Sequence, residues 1–190
     1  MMDKIAIFCS ASENIEPVFF EKARELGVWM GQNKKTLVYG GANIGLMECI
    51  AKAAKDNGSM IMGVIPTKLE ERGRASDLVD VTFRTDNLSD RKDVMLNESD
   101  VVIALPGGVG TLDEVFHVMA AATLDYHRKK VILLGFGKSK SCLPQGRGRK
   151  NCSKGYPVHR SDRSGQQTVE AVGTPIYYRR GRDAEIHACQ

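Results

Sequence analysis

Between Val101 and Leu124 the chain changes character twice, and no other stretch constrains the fold as much. An apolar run, Val101-Val102-Ile103-Ala104-Leu105, leads into Pro106-Gly107-Gly108-Val109-Gly110. A helical pattern leads out, from Thr111 to about Leu124. A buried strand, a glycine turn and a helix N-terminus in that order form an anion site. The first N–H groups of the helix have no acceptor within it, and glycines let a ligand approach the backbone. Glu114 falls in that same first turn. A carboxylate beside an anion cradle either caps the helix or takes part in chemistry.

The rest of the chain repeats the alternation. Ile5–Phe8 reads as a first buried strand, followed by a small polar turn, Cys9-Ser10-Ala11-Ser12. Pro17 to about Gln32 reads as a helix, with Phe19, Ala23, Leu26 and Met30 at helical spacing. Further strands are expected at Thr36–Tyr39, Met60–Ile65, Val79–Phe83, Asp100–Leu105 and Lys130–Leu134. Helices are expected from about Leu46 to Asn57 and from Asp86 to Glu98, and residues 67–79 read as a loop with a short helical piece. Strands that are apolar throughout and alternate with helices predict an α/β fold: a Rossmann-like, doubly wound parallel sheet with helices on both faces. Ligands in such sheets bind at the carboxyl ends of the strands, near the point where strand order reverses.

This pattern stops near residue 136. We read residues 1–136 as the nucleotide-binding and catalytic domain and 137–190 as an atypical basic segment. The latter carries 11 Lys/Arg against 4 Asp/Glu, whereas residues 1–136 carry 16 against 19. The overall charge of +4 therefore comes from the C-terminal segment. A disordered tail or a changed reading frame near residue 137 would each explain the break, and its abruptness favours the second. The mildly acidic body argues against a nucleic-acid partner. With no long apolar run and no cleavable leader, a cytoplasmic protein without membrane contact is expected. Five scattered cysteines without metal spacing read as reduced thiols, Cys9 among them as packing.

Neither glycine turn is a dinucleotide fingerprint, and neither carries the Lys-Ser/Thr of a P-loop. Two glycine turns, Gly40-Gly41-Ala42-Asn43-Ile44-Gly45 and the one at 106–110, suit a small phosphorylated ligand. An ordinary strand-to-helix turn is an equal reading for Gly40-Gly41 and a weaker one for the 106–114 stretch. On spacing alone, Thr111-Leu112-Asp113-Glu114 is a capping box, with Thr111 as N-cap and Glu114 reaching back to it. Arg91 and Lys92 alone read as a solvated helix face. No metal-ligand cluster is visible.

Taken together these segments resemble a family. Pro106 to Glu114 matches PGGxGTxxE, the signature of the LONELY GUY (LOG)-type phosphoribohydrolases. Leu37-Val38-Tyr39-Gly40-Gly41, Gly45-Leu46-Met47, Gly63-Val64-Ile65-Pro66, Arg91-Lys92 with Met95, and His127 follow the family's order. The resemblance spans about residues 3–135. Ala42 and Glu48 stand where the family pattern has glycine, and the turn at Cys9–Ser12 follows it loosely. The resemblance implies hydrolysis of the N-glycosidic bond of a nucleoside 5′-monophosphate, AMP or an N6-substituted AMP such as a cytokinin riboside monophosphate. It implies Arg91 and Glu114 as catalytic residues. Ser10, Gly40, Gly41, Met47, Lys92, Met95, Pro106, Gly107, Gly108, Gly110 and Thr111 are implied to bind substrate. No cofactor is implied, and nothing resembles a pyridoxal-phosphate lysine site. A homodimer with an isologous contact is expected. A non-catalytic nucleotide or molybdenum-cofactor carrier on the same fold is the alternative.

Overall fold

A computed structural model of the chain describes residues 3–134 in full and, beyond them, the backbone of four short strands. The N-terminal part alternates throughout: β1 (Lys4–Phe8), α1 (Pro17–Gln32), β2 (Thr36–Tyr39), α2 (Gly45–Asp56), β3 (Ile61–Pro66), α3 (Thr67–Glu70), β4 (Val81–Thr85), α4 (Leu88–Asn97), β5 (Val101–Ala104), α5 (Val109–Thr123) and β6 (Lys130–Leu133). The six strands form one parallel sheet in the order β4-β3-β2-β1-β5-β6. The α/β expectation holds.

Strand order reverses at β1, which pairs with β2 on one side and with β5 on the other. Two core layers cover the sheet. On one face Ile7, Leu37 and Tyr39 pack against Met30, Leu46 and Ile50 of α1 and α2. On the other, Phe8, Val38 and Val102 pack against Met95, Val115 and Val118 of α4 and α5. Alternate residues of β1 and β2 feed opposite layers, as a two-sided sheet requires.

Element ends moved where side chains intervene. β4 begins two residues later than the apolar pattern indicated. Asp80 precedes it, accepting from the Ile61 N–H and the Lys55 ammonium, so the ladder starts only after that anchor. α4 begins at Leu88 because Asn87 caps it, accepting from the N–H groups of Ser89 and Asp90. Among the described residues no helix is long and apolar enough to cross a membrane.

The four further strands, β7 (His159–Ser161), β8 (Gln167–Ala171), β9 (Thr174–Tyr178) and β10 (Ile186–Ala188), pair antiparallel in the order β10-β9-β8-β7. The reading of 137–190 as disordered or frame-altered falls largely outside the described residues.

Candidate active site

The site lies where the loops after β1, β2 and β5 meet, at the carboxyl end of the β1/β5 switch point. The loops after β1 and β5 are tied directly: the Ser10 N–H donates to the Pro106 carbonyl at 3.3 Å. Gly107 makes the close approach possible. A Cβ there would overlap the Thr111 side chain and come within 3.1 Å of the Ser10 nitrogen.

The two glycine turns have different fates. The Ser10 carbonyl accepts from the N–H groups of Leu46 (3.0 Å) and Met47 (3.3 Å). The N-terminus of α2 is thereby occupied by the chain itself. The two glycine turns, read from sequence as suiting one phosphorylated ligand, therefore differ in what their helix N-termini meet. α5 differs: Gly108 is its N-cap, and no side chain caps it. Open space lies where Cβ atoms at Gly108 and Gly110 would be. The first N–H groups of α5 therefore form the cradle, with the helix dipole favouring an anion.

The capping box is not formed. Thr111 lies inside α5, which begins at Val109, and Glu114 turns away from the helix start. The Glu114 carboxylate is buried and accepts from Arg91 Nη1 at 2.9 Å. Arg91 is not on a solvated face either. Its Nε donates to the Val64 carbonyl and its Nη2 to the Gly40 carbonyl, both at 3.1 Å. One planar guanidinium thus joins the residue after β2 and Val64 within β3 to α5. Gly40 is required for this, because a Cβ there would overlap the guanidinium.

Burial dominates the electrostatics of Glu114. It pushes the carboxyl up from an ordinary 4.5 to about 7, with Asp113 adding to the rise and Arg91 and Lys92 opposing it. A carboxyl raised this far by burial has the proton affinity that acid–base chemistry near neutral pH requires. Cys9 is buried beside the same pair. Burial first, then the charge of Glu114, raises its thiol far above the usual range, so it stays protonated and packs.

The remaining expected residues divide. Pro106 and Thr111 are buried beneath the cradle, and Met47 sits against Gly40. Gly41 takes a positive φ of 70°, which fixes the turn. Lys92 is engaged elsewhere: its ammonium contacts both carboxylate oxygens of Asp113, at 2.9 and 2.8 Å. Met95 is fully buried in the α4/α5 core layer beside Val64 and Val115, so it packs rather than lining the cleft. Sequence reasoning missed Asp113 and the Val64 carbonyl. The first could have been found from the adjacency of 91-92 and 113-114; a backbone acceptor leaves no sequence signal. Among the described residues no cluster of His, Cys, Asp and Glu could hold a metal ion.

Fold and site together define a Rossmann-like protein with a helix N-terminal anion cradle and a buried Arg–Glu pair at the switch point. The SLOG cluster4 family model matches residues 2–160, and the chain belongs to that family. A cytokinin riboside 5′-monophosphate phosphoribohydrolase of Mycobacterium tuberculosis (strain ATCC 25618 / H37Rv) is 37% identical over 130 residues, covering 68% of this chain and 69% of that protein. A protein of the same name from Arabidopsis thaliana is 37% identical over 131 residues, and there the match spans only 60% of the relative's length. Two similar solved structures are of another kind. The molybdenum cofactor binding protein of Rippkaea orientalis aligns with a TM-score of 0.57 at 30% identity, covering 70% of this chain and 77% of that one. The molybdenum cofactor carrier protein of Chlamydomonas reinhardtii aligns at 0.59 and 28%, with the same coverage.

Proposed function

We propose that the chain hydrolyses the N-glycosidic bond of a nucleoside 5′-monophosphate, AMP or an N6-substituted AMP, releasing the free base and ribose 5-phosphate. The observation that carries this reading is the buried Arg91–Glu114 pair set one turn beyond an open anion cradle. The 5′-phosphate takes the N–H groups at the start of α5, which directs the ribose toward Glu114. As the bond from the anomeric carbon to the base nitrogen breaks, its electron pair leaves with the base and positive charge grows on the sugar ring. The Glu114 carboxylate stabilises that charge and orients the water that attacks the anomeric carbon, as carboxylates do in other glycosidic cleavages. Arg91 holds the carboxylate in place. The LOG-type relatives support the same reaction.

The reading extends to a homodimer. Phe116 of α5 and Leu124 and Tyr126 just after it are 63%, 70% and 80% exposed, more than a lone apolar side chain explains. A cytoplasmic setting accords with Cys9 and Cys49 being free thiols.

The carrier reading is favoured by one observation, the two molybdenum-cofactor proteins among the similar structures. A single assay separates the two. Purified protein is incubated with AMP, isopentenyl-adenosine monophosphate, ADP and adenosine, and base release is followed by chromatography. Base release from the monophosphates, abolished in Glu114→Gln, is expected. Tight binding without any base release would establish the carrier instead.

A further inference from the structure

Arg91 and Glu114 stand on different helices, so their separation depends on how α4 sits against α5 as well as on the Val64 and Gly40 carbonyls that hold the guanidinium. Apolar packing of α4 rests on a few side chains, Met95 and Leu96 buried and Val94 partly so. At its far end α4 is held by Lys129, which donates to the Leu96 and Asn97 carbonyls. Near the site three consecutive residues of α4 reach three residues of α5. Arg91 meets Glu114, Lys92 meets Asp113, and Asp93 meets His117. The last contact is unlike the others. His117 Nε2 lies 2.9 Å from Asp93 Oδ1, yet it is buried and makes no aligned hydrogen bond. Lys92, Asp113 and Glu114 are the charged groups adjoining it on the two helices, and His127 is a further titratable neighbour beyond α5.

We propose that Asp93 and His117 are positioning residues, a brace that sets the Arg91–Glu114 separation from the solvent side of the two helices. This rests on the hydrolase reading above for its effect on turnover. Exposed ion pairs are individually weak, and Asp93 is 59% exposed. A buried reacting carboxylate is nevertheless sensitive to displacements too small to unfold anything. The brace therefore acts on kcat more than on folding.

The test compares Asp93→Asn, His117→Gln and the reversed pair Asp93→Lys with His117→Glu. AMP cleavage gives kcat and KM separately. A carbon-13 NMR titration follows the Glu114 carboxyl, its resonance assigned by loss in Glu114→Gln. Each single variant is expected to lower kcat about three- to ten-fold with KM held within about two-fold, and the reversed pair to regain most of it. The titration discriminates by sign. Removing the negative charge of Asp93 would, through space alone, lower the Glu114 midpoint. Loss of position draws Arg91 away and raises it. A raised midpoint in Asp93→Asn is expected; a lowered or unmoved one overturns the brace, as does a reversed pair no better than the sum of the singles. Should the wild type release no base from any nucleotide, the hydrolase reading falls while the titration still decides the brace.

Discussion

Replacing Glu114 by glutamine should make the protein more stable above neutral pH while stopping turnover. The native carboxyl holds its proton up to about pH 7, whereas an unfolded one releases it near 4.5. Between those values the native state binds more protons than the unfolded state. Stability therefore falls as pH rises through the interval and is level above it. The full shift corresponds to about 3 kcal/mol. From pH 5.5 to 8.5 roughly 2 kcal/mol of it is traversed, about 4–8 °C in Tm for a chain of this size. Glutamine has the shape of the neutral acid and cannot ionise. The quantity to measure is Tm of Glu114→Gln minus Tm of the wild type, by calorimetry across that pH range; other titrating groups cancel in the difference. It should climb toward pH 8. A difference that falls with pH would mean that Arg91 stabilises the ionised carboxylate more than burial penalises it, and the account of the site's electrostatics would be wrong.

Three further outcomes are expected. Arg91→Ala should reduce base release on the order of 10²-fold or more and also weaken AMP binding, measured by titration calorimetry; affinity equal to wild type would contradict the role given to Arg91. Gly40→Ala should cost about 1–3 kcal/mol in urea denaturation, because the new methyl displaces the guanidinium; a neutral effect would show that the turn relaxes freely. Phe116→Glu should shift the protein to monomer in sedimentation velocity, and an unchanged mass would place any dimer contact away from α5.

Much of the fold was legible because its signals are local. Apolar strands with helices between them and glycines after β2 and β5 mark their elements directly. The site was legible only in part, because its decisive contacts are non-local. Spacing made Thr111 and Glu114 a capping box. The helix instead starts at Val109, and the carboxylate finds a guanidinium 23 residues away along the chain. The two glycine turns looked alike in sequence. What separates them is the Ser10 carbonyl, which plugs one helix start and leaves the other open. Lys92 followed Arg91 in sequence but not in space: successive helical residues point about 100° apart, so Arg91 enters the site while Lys92 turns to an ion pair with Asp113. Met95, one turn on along the face that Arg91 shares, is buried in the core layer.

The hold of Arg91 on two strand ends makes the halves of its ion pair unequal. Parallel strands present carbonyl oxygens at the very edge where this fold binds anions, and at Gly40 and Val64 those oxygens are covered by the guanidinium. Loss of Glu114 leaves that cover in place. Loss of Arg91 uncovers both carbonyl dipoles at that edge. On the hydrolase reading proposed above, a chain that kept Arg91 and lost Glu114 would hold a nucleotide without cleaving it, so the hydrolase and carrier readings differ by a single side chain.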